Sequence, residues 1–235
     1  MFWFSAVAFA PSQSPTADDW LVSQDTTAQY PAQLSVQQAP APYPQGGQLL
    51  TLSNGLVERT FYAGGDGAFC TVEYRHLLSR QTYFRAIGPE GNMTLNGTGL
   101  SIGGCAGQPA GHTEFFTPET QAAGLRAAND TLLLDQFSQS LPSADFDWRP
   151  GTRHSPSDLA WPPTGIHLAV SFRLPASAPA EVGAAARVTV HYEMYDGMPV
   201  LRKWVSVAHA GAAPAPPLVV DSLNYEMLRG VPARR

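Results

Sequence analysis

Residues 187–207, RVTVHYEMYDGMPVLRKWVSV, constrain the fold more than any other stretch. Val188, Val190, Tyr192 and Met194 alternate with Thr189, His191 and Glu193. A period of two puts one set on each face of a β-strand. Asp196-Gly197 follows, and Asp-Gly between alternating runs signals a hairpin, because Gly197 reaches positive φ without a steric penalty. The return run, Met198 to Val207, is apolar on both faces apart from Arg202 and Lys203. That pattern predicts a strand covered on both sides.

The same signals recur along the chain. Leu49 to Phe61, LLTLSNGLVERTF, reads as a second hairpin turning at Asn54-Gly55. Ile166, Leu168, Val170, Phe172 and Leu174 alternate with His167, Ala169, Ser171 and Arg173. Phe69 to Tyr74, Met93 to Ile102, His112 to Thr117, Thr131 to Phe137 and Leu218 to Leu228 are further strand candidates, and Gln121 to Ala128 a helical turn weakened by Gly124. Gly and Pro number 21 each, which favours turns over long helices. About ten short strands with regular turns predict an all-β fold, an antiparallel β-sandwich. Residues 1–47 are an apolar N-terminus followed by an irregular Pro/Gln/Ser-rich arm, too poor in apolar surface to fold alone. The sandwich domain is expected to run from Gln48 to Arg235, residues 48–235.

Charge narrows the partners. The net charge is −5, only 14% of residues are charged, and no basic block occurs. A nucleic-acid or anionic-membrane partner therefore does not fit. No apolar run approaches the roughly 20 residues of a membrane-spanning helix. Residues 1–10, MFWFSAVAFA, end in Ala8-Phe9-Ala10. They resemble the end of a secretory signal, or form a plain apolar terminus. Asn92, Asn96 and Asn129 open N-glycosylation sequons. Cys70 and Cys105, the only cysteines, suit either one disulfide or two buried thiols. Together these features point towards a secreted or extracellular glycoprotein.

The central hairpin and its continuation, RVTVHYEMYDGMPVLRKWVSVAHAG and Leu218 to Leu228, resemble the N-terminal β-supersandwich of alpha-galactosidase-like and raffinose-synthase-like glycoside hydrolases. LTLSNGLVERTF resembles the opening strand pair of such galactose-mutarotase-like sandwiches. Where that family usually carries Asn-x-Gly, this chain has His209-Ala210-Gly211. In those enzymes a (β/α)8 barrel of about 250 residues follows and carries the catalytic carboxylates. The resemblance implies an accessory sandwich, or a fragment, whose partner is a carbohydrate or a missing catalytic domain. It implies no cofactor.

Individual residues carry the rest of the expectation. Glycosidase chemistry needs two carboxyl groups about 5–9.5 Å apart. Asp145, Asp147, Asp158, Glu193, Asp196 and Glu226 are available, but spacing brings no two together. Asp196 is accounted for by its turn and Glu193 by a solvated strand face, so no catalytic residue is assigned. His191 and Glu193 share a strand face and His167 lies on the polar face of another strand; a metal site needs a third ligand and short ligand distances, and no tight His/Cys/Asp cluster occurs, so no metal site is assigned. Arg202, Lys203 and Trp204 are read as core and rim packing, with a cation–π contact as the alternative. The loop from Asp145 to Gly165 is different in chemistry. Its Trp148, Arg153, His154 and Trp161 offer flat rings and hydrogen-bonding heads of the kind that line sugar clefts. The alternative is that both tryptophans plug one end of the sandwich.

Three functions follow. The first is a non-catalytic accessory sandwich of a carbohydrate-active enzyme. The second is a free-standing extracellular carbohydrate-binding or interaction domain. The third is a sugar epimerase or lyase on the mutarotase-like fold.

Overall fold

Sixteen strand segments, named here in chain order, dominate the computed structural model, which describes residues 26–108, 115–149, 161–178, 186–209 and 217–230. The first five are β1 (Gln33–Gln38), β2 (Gln48–Ser53), β3 (Val57–Ala63), β4 (Phe69–His76) and β5 (Gln81–Thr82). Next come β6 (Phe84–Ala86), β7 (Gly91–Leu95), β8 (Thr98–Ile102), β9 (Cys105–Ala106) and β10 (Arg126–Ala127). Then follow β11 (Thr131–Ser140), β12 (Gly165–Arg173), β13 (Ala186–Tyr195), β14 (Leu201–His209), β15 (Val220–Asn224) and β16 (Arg229–Gly230). β1 to β5 form one sheet in sequence order; the larger sheet runs β14-β13-β12-β11-β8-β7-β15. All its pairs are antiparallel except β8 with β11. The fold is an all-β sandwich.

The core lies between the two sheets. Leu50, Leu52, Phe61 and Phe69 of the smaller sheet meet Leu95, Ile102, Leu168, Val170, Phe172, Val188, Val190, Tyr192 and Met194 of the larger. The alternation in β12 and β13 thus sorts as the sequence predicts, with Val170, Val190 and Tyr192 inward and Ala169, His191 and Glu193 outward. A second cluster covers the far face of the smaller sheet, where Leu49, Tyr62, Cys70 and Val72 pack against Tyr43, Phe84, Phe116 and Leu125. β3 is therefore buried on both faces along most of its length, as is the first half of β4.

Four expectations change. The smaller sheet starts before Gln48, because β1 pairs with β2 along its whole length. β1 is mostly exposed, and only Leu34 packs against the core, so backbone pairing does most to place it. β14 is not covered on both sides: it is the edge strand of the larger sheet and is half-buried along most of its length. Residues 115–117 are not strand; Thr117 instead precedes the short helix Pro118–Gln121, and a 3-10 turn, Ala122–Gly124, follows it. The last strand candidate, Leu218 to Leu228, holds only the five-residue β15, and β16 follows just beyond it.

The two turn signals meet in space. Asn54 is 1% exposed. Its Oδ1 accepts from the amides of Leu56 and Val57 at 3.0 and 3.1 Å, as a short polar side chain does in a turn. Its Nδ2 donates to the carbonyls of Tyr195 and Met198 at 2.8 and 2.6 Å, across to the β13–β14 connection. There Asp196 Oδ1 accepts from the Ala32 amide at 2.7 Å. One side chain thus clasps the hairpin of one sheet to that of the other. Asn54→Ala should cost about 2–4 kcal/mol, since it strands buried donors and acceptors together. Urea unfolding would check this; a loss below about 0.5 kcal/mol would refute the clasp.

Candidate functional site

The outward face of β11 to β14 carries most of the chemistry singled out in the sequence. Register sets the rows: His167 opposes Glu193, which opposes Arg202, and His191 opposes Trp204. His167 Nε2 and His191 Nδ1 are 2.9 Å apart. Ser140 Oγ lies 3.1 Å from His167 Nδ1, and Ser206 Oγ lies 2.8 Å from His191 Nε2. Burial, which outweighs the opposing carboxylates, pushes His167 down. Burial and then the neighbouring His167 bring His191 down to about 4, against the pull of Asp145. Both rings are therefore neutral near pH 7, each with one donor and one acceptor. A consistent chain follows: Ser140 donates to His167, His167 to His191, and His191 to Ser206.

The indole of Trp204 lies nearly parallel to both imidazoles, at 5.3 Å from His167 and 4.7 Å from His191. The Arg202 guanidinium sits 4.3 Å from the Trp204 ring, the cation–π arrangement. Arg202 also pairs with Asp145 and, at 3.2 Å, with Glu193. Glu193 is 2% exposed, not solvated as its strand face suggested. Arg202 and the Tyr195 hydroxyl, 2.7 Å from Glu193 Oε2, replace its water. Burial and the hydrogen bond to Glu193 push the Tyr195 phenol up to about 12, so it stays a donor.

The Asp145–Arg202 pair fastens the loop after β11 to this face. The next residues form an aromatic cluster. Phe146 and Trp161 rings are 4.9 Å apart, Trp148 and Trp161 5.6 Å apart, both tilted. Trp161 Nε1 donates to the Phe146 carbonyl at 3.2 Å, which clamps the two ends of the loop together. Neither tryptophan enters the inter-sheet core: Trp148 is half-buried and Trp161 is 37% exposed. Arg153 and His154 lie outside the described residues, as does Asp158.

A second polar centre, on the inward side, escaped the sequence reading. Glu90, in the turn before β7, is 1% exposed. It accepts from Arg59 at 2.7 Å, Lys203 at 3.0 Å, Tyr192 Oη at 2.6 Å, and the Thr71 amide and hydroxyl at 2.9 and 2.6 Å. Glu226 closes the group against Arg59 and Lys203 at 3.0 and 3.4 Å. The guanidinium of Arg59 also faces the rings of Phe61, Tyr74 and Tyr192. Lys203 therefore points inward to a buried carboxylate rather than covering the rim. Two cations and two anions balance, and the contacts leave Glu90 fully occupied. The arrangement holds the sheets together and offers no free reacting group.

The other predicted positions are plain to locate. Cys70 and Cys105 form a disulfide with Cα atoms 5.8 Å apart. Asn92 lies within β7 and is held by Asn224 and Met227. Asn96 accepts from the Val219 amide in the β7–β8 turn. Asn129 is exposed in the turn before β11. Among the described residues, no group of three or more His, Cys, Asp or Glu is placed to hold a metal ion. No helix of the described residues is long and apolar enough to cross a membrane. No protein-family model, curated protein or solved structure matches the chain.

Proposed function

We propose that the chain serves as a non-catalytic accessory β-sandwich of a carbohydrate-active, glycoside hydrolase-like protein, with the Phe146–Trp148–Trp161 cluster as its saccharide-contacting or docking surface. The observation that carries this reading is the placement of that cluster. Partly exposed rings are packed on one another in a loop whose first residue, Asp145, pairs with Arg202 on the face that also carries the imidazole chain. Rings accept the C–H faces of sugars, and the neighbouring polar groups accept and donate to hydroxyls. The loop's attachment to strands lowers the ordering cost of binding. The resemblance to galactose-mutarotase-like sandwiches supports the same reading.

A free-standing extracellular binding domain is the second reading. Its specific support is the Cys70–Cys105 bridge, which suits an oxidising compartment, together with the exposed sequon at Asn129. Both readings share the same surface and so the same first test.

Titration with galactosides should quench tryptophan fluorescence with a dissociation constant in the millimolar range typical of weak sites. Trp161→Ala should weaken binding at least tenfold while leaving the circular dichroism spectrum intact. No saturable change up to about 50 mM would remove the saccharide contact and leave only docking on another domain.

A further inference from the structure

On the outer face of the smaller sheet, a groove of about 310 Å³ lies beside the Asn54-Gly55 turn. Register sets its floor. Gln33 opposes Ser53, which opposes Glu58; Ser35 opposes Thr51, which opposes Thr60. These residues alternate with Leu50, Leu52 and Phe61 of the inter-sheet core, so they share the other face. Three neighbouring strands, about 5 Å apart, thus bring amides and hydroxyls into two cross-strand rows. The apolar cluster on this face is built on Leu49 and Tyr62, at the opposite end of β2 and β3. The wall of the groove is Tyr30. Its ring lies against Gly55, where an added Cβ would come within 3.2 Å of Tyr30 Cδ1. The Tyr30 carbonyl accepts from the Gly197 amide at 2.9 Å, and the Ala32 amide donates to Asp196 at 2.7 Å. The β13–β14 turn therefore fixes the wall on both sides of Pro31, and half-buried Tyr30 keeps part of its ring for the groove.

The charge in the groove is balanced. Glu58 is the one carboxylate among the lining residues, and none of them is a lysine or arginine. Arg75 compensates it from β4: Nε and Nη2 both donate to Glu58 Oε1, at 3.0 and 2.7 Å. Neither bond uses Oε2, which keeps its accepting capacity. Ser53 Oγ accepts from the Gly55 amide at 3.3 Å and retains its proton to donate. The Thr51 and Thr60 hydroxyls, 3.2 Å apart, share one proton between them, which leaves the other to a ligand. Gln33 and Ser35 are exposed on β1, and an amide and a hydroxyl each donate and accept.

We infer that this groove binds a neutral saccharide of about disaccharide size, with Tyr30 against a C–H face of the sugar and Gln33, Ser53 and Glu58 on its hydroxyls. Sugar hydroxyls donate and accept at once, which matches a floor of amides, hydroxyls and one compensated carboxylate. An ion would find no uncompensated partner there, and an apolar ligand would strand the polar floor. The volume is near the small end of ligand cavities, about 300–1,000 Å³. Groove and aromatic loop have no residue in common, so the inference does not rest on the aromatic surface.

Heteronuclear NMR titration of the full chain tests it, with lactose and cellobiose as probes and glucose, glucosamine and glucuronate as a charge series. Amide shifts at Gln33, Ser35, Thr51 and Ser53 should saturate with lactose or cellobiose at a dissociation constant below about 10 mM. Glucosamine and glucuronate should bind no more than threefold tighter than glucose. Tyr30→Ala should weaken disaccharide binding at least fivefold. Gln33→Ala, a surface change that keeps the strand, should weaken it at least threefold and serves if the first variant does not fold. Gln37→Ala, on the same strand and face but outside the groove, should change it less than twofold. Trp161→Ala should leave these shifts in place, so that failure of the aromatic surface and failure of the groove are told apart. The inference fails if neither disaccharide saturates these shifts, if a charged sugar binds more than threefold tighter than glucose, if folded Tyr30→Ala or Gln33→Ala binds as wild type does, or if Trp161→Ala abolishes the shifts.

Discussion

Glu90→Ala should lower the stability of the chain by about 3–5 kcal/mol, the penalty for leaving two buried cations with one partly exposed carboxylate, Glu226, between them. For a chain of this size that is a fall in Tm of about 6–20 °C. Arg59 and Lys203 lose their common acceptor, and their side chains are only 3% and 5% exposed. Tyr192 and Thr71 lose theirs as well. Glu226→Ala should cost about 1 kcal/mol or less, because that carboxylate is a third exposed and water screens it. The acid limb of stability follows from the same group. Burial alone would push Glu90 up, but Arg59 and Lys203, with the hydrogen bonds from Thr71 and Tyr192, hold it far below the usual carboxylate range. A carboxylate depressed in the folded state contributes its full stabilisation above its unfolded value near 4.5 and loses it as pH falls below that. Wild type should therefore lose urea resistance between about pH 5 and pH 2, and Glu90→Gln should be flatter over that window. Equal slopes in the two proteins would show that Glu90 is not the group responsible.

Reduction of the Cys70–Cys105 bridge should be the second large effect. The bridge spans a sequence separation of 35, for which the chain-entropy relation gives about 3–4 kcal/mol. Calorimetry with and without a phosphine reductant should show Tm falling by about 6–16 °C. The Cys70→Ala/Cys105→Ala double variant should melt at the reduced temperature. An unchanged Tm after thiol counting confirms two free cysteines would sink this expectation. The same treatment should loosen β9, which the bridge ties to β4.

The sequence was most legible where a period of two coincided with one-sided burial. β12 and β13 could be read residue by residue, because each has neighbours on both sides and one apolar face. β1 could not, since Gln33 to Gln38 pairs mainly through its backbone and turns only Leu34 toward the core. β14 misled because apolar residues on both faces suggest a central strand. Here they line an edge, with Arg202 turned out to Trp204 and Lys203 turned in to Glu90. The ionic centre was unreadable for another reason. Glu90 sits in a Pro- and Gly-rich turn that looks like any solvated loop, and its partners at positions 59, 71, 192 and 203 share no local pattern. Glu193 looked solvated for the same reason: only the tertiary placement of Asp145 and Arg202 reveals what covers it. The aromatic loop was legible in composition, but which ring pairs with which is a property of the closed loop.

The separation between Arg59 and Glu226 has a consequence in time rather than in energy. Their hydrogen bond joins residues 167 positions apart, and the Asn224–Asn92 contact between β15 and β7 spans 132. Pairings this remote must await nearly the whole of the described chain, and they carry a large loop-closure cost before any contact repays it. During synthesis the ribosome would release β3 and the Glu90 turn long before Lys203 and Glu226 emerge. The early strands then present an open sheet edge, with one cation and one anion already matched, to whatever surrounds them. Such an exposed edge is prone to association, and the arrival of β15 is the step that covers β7.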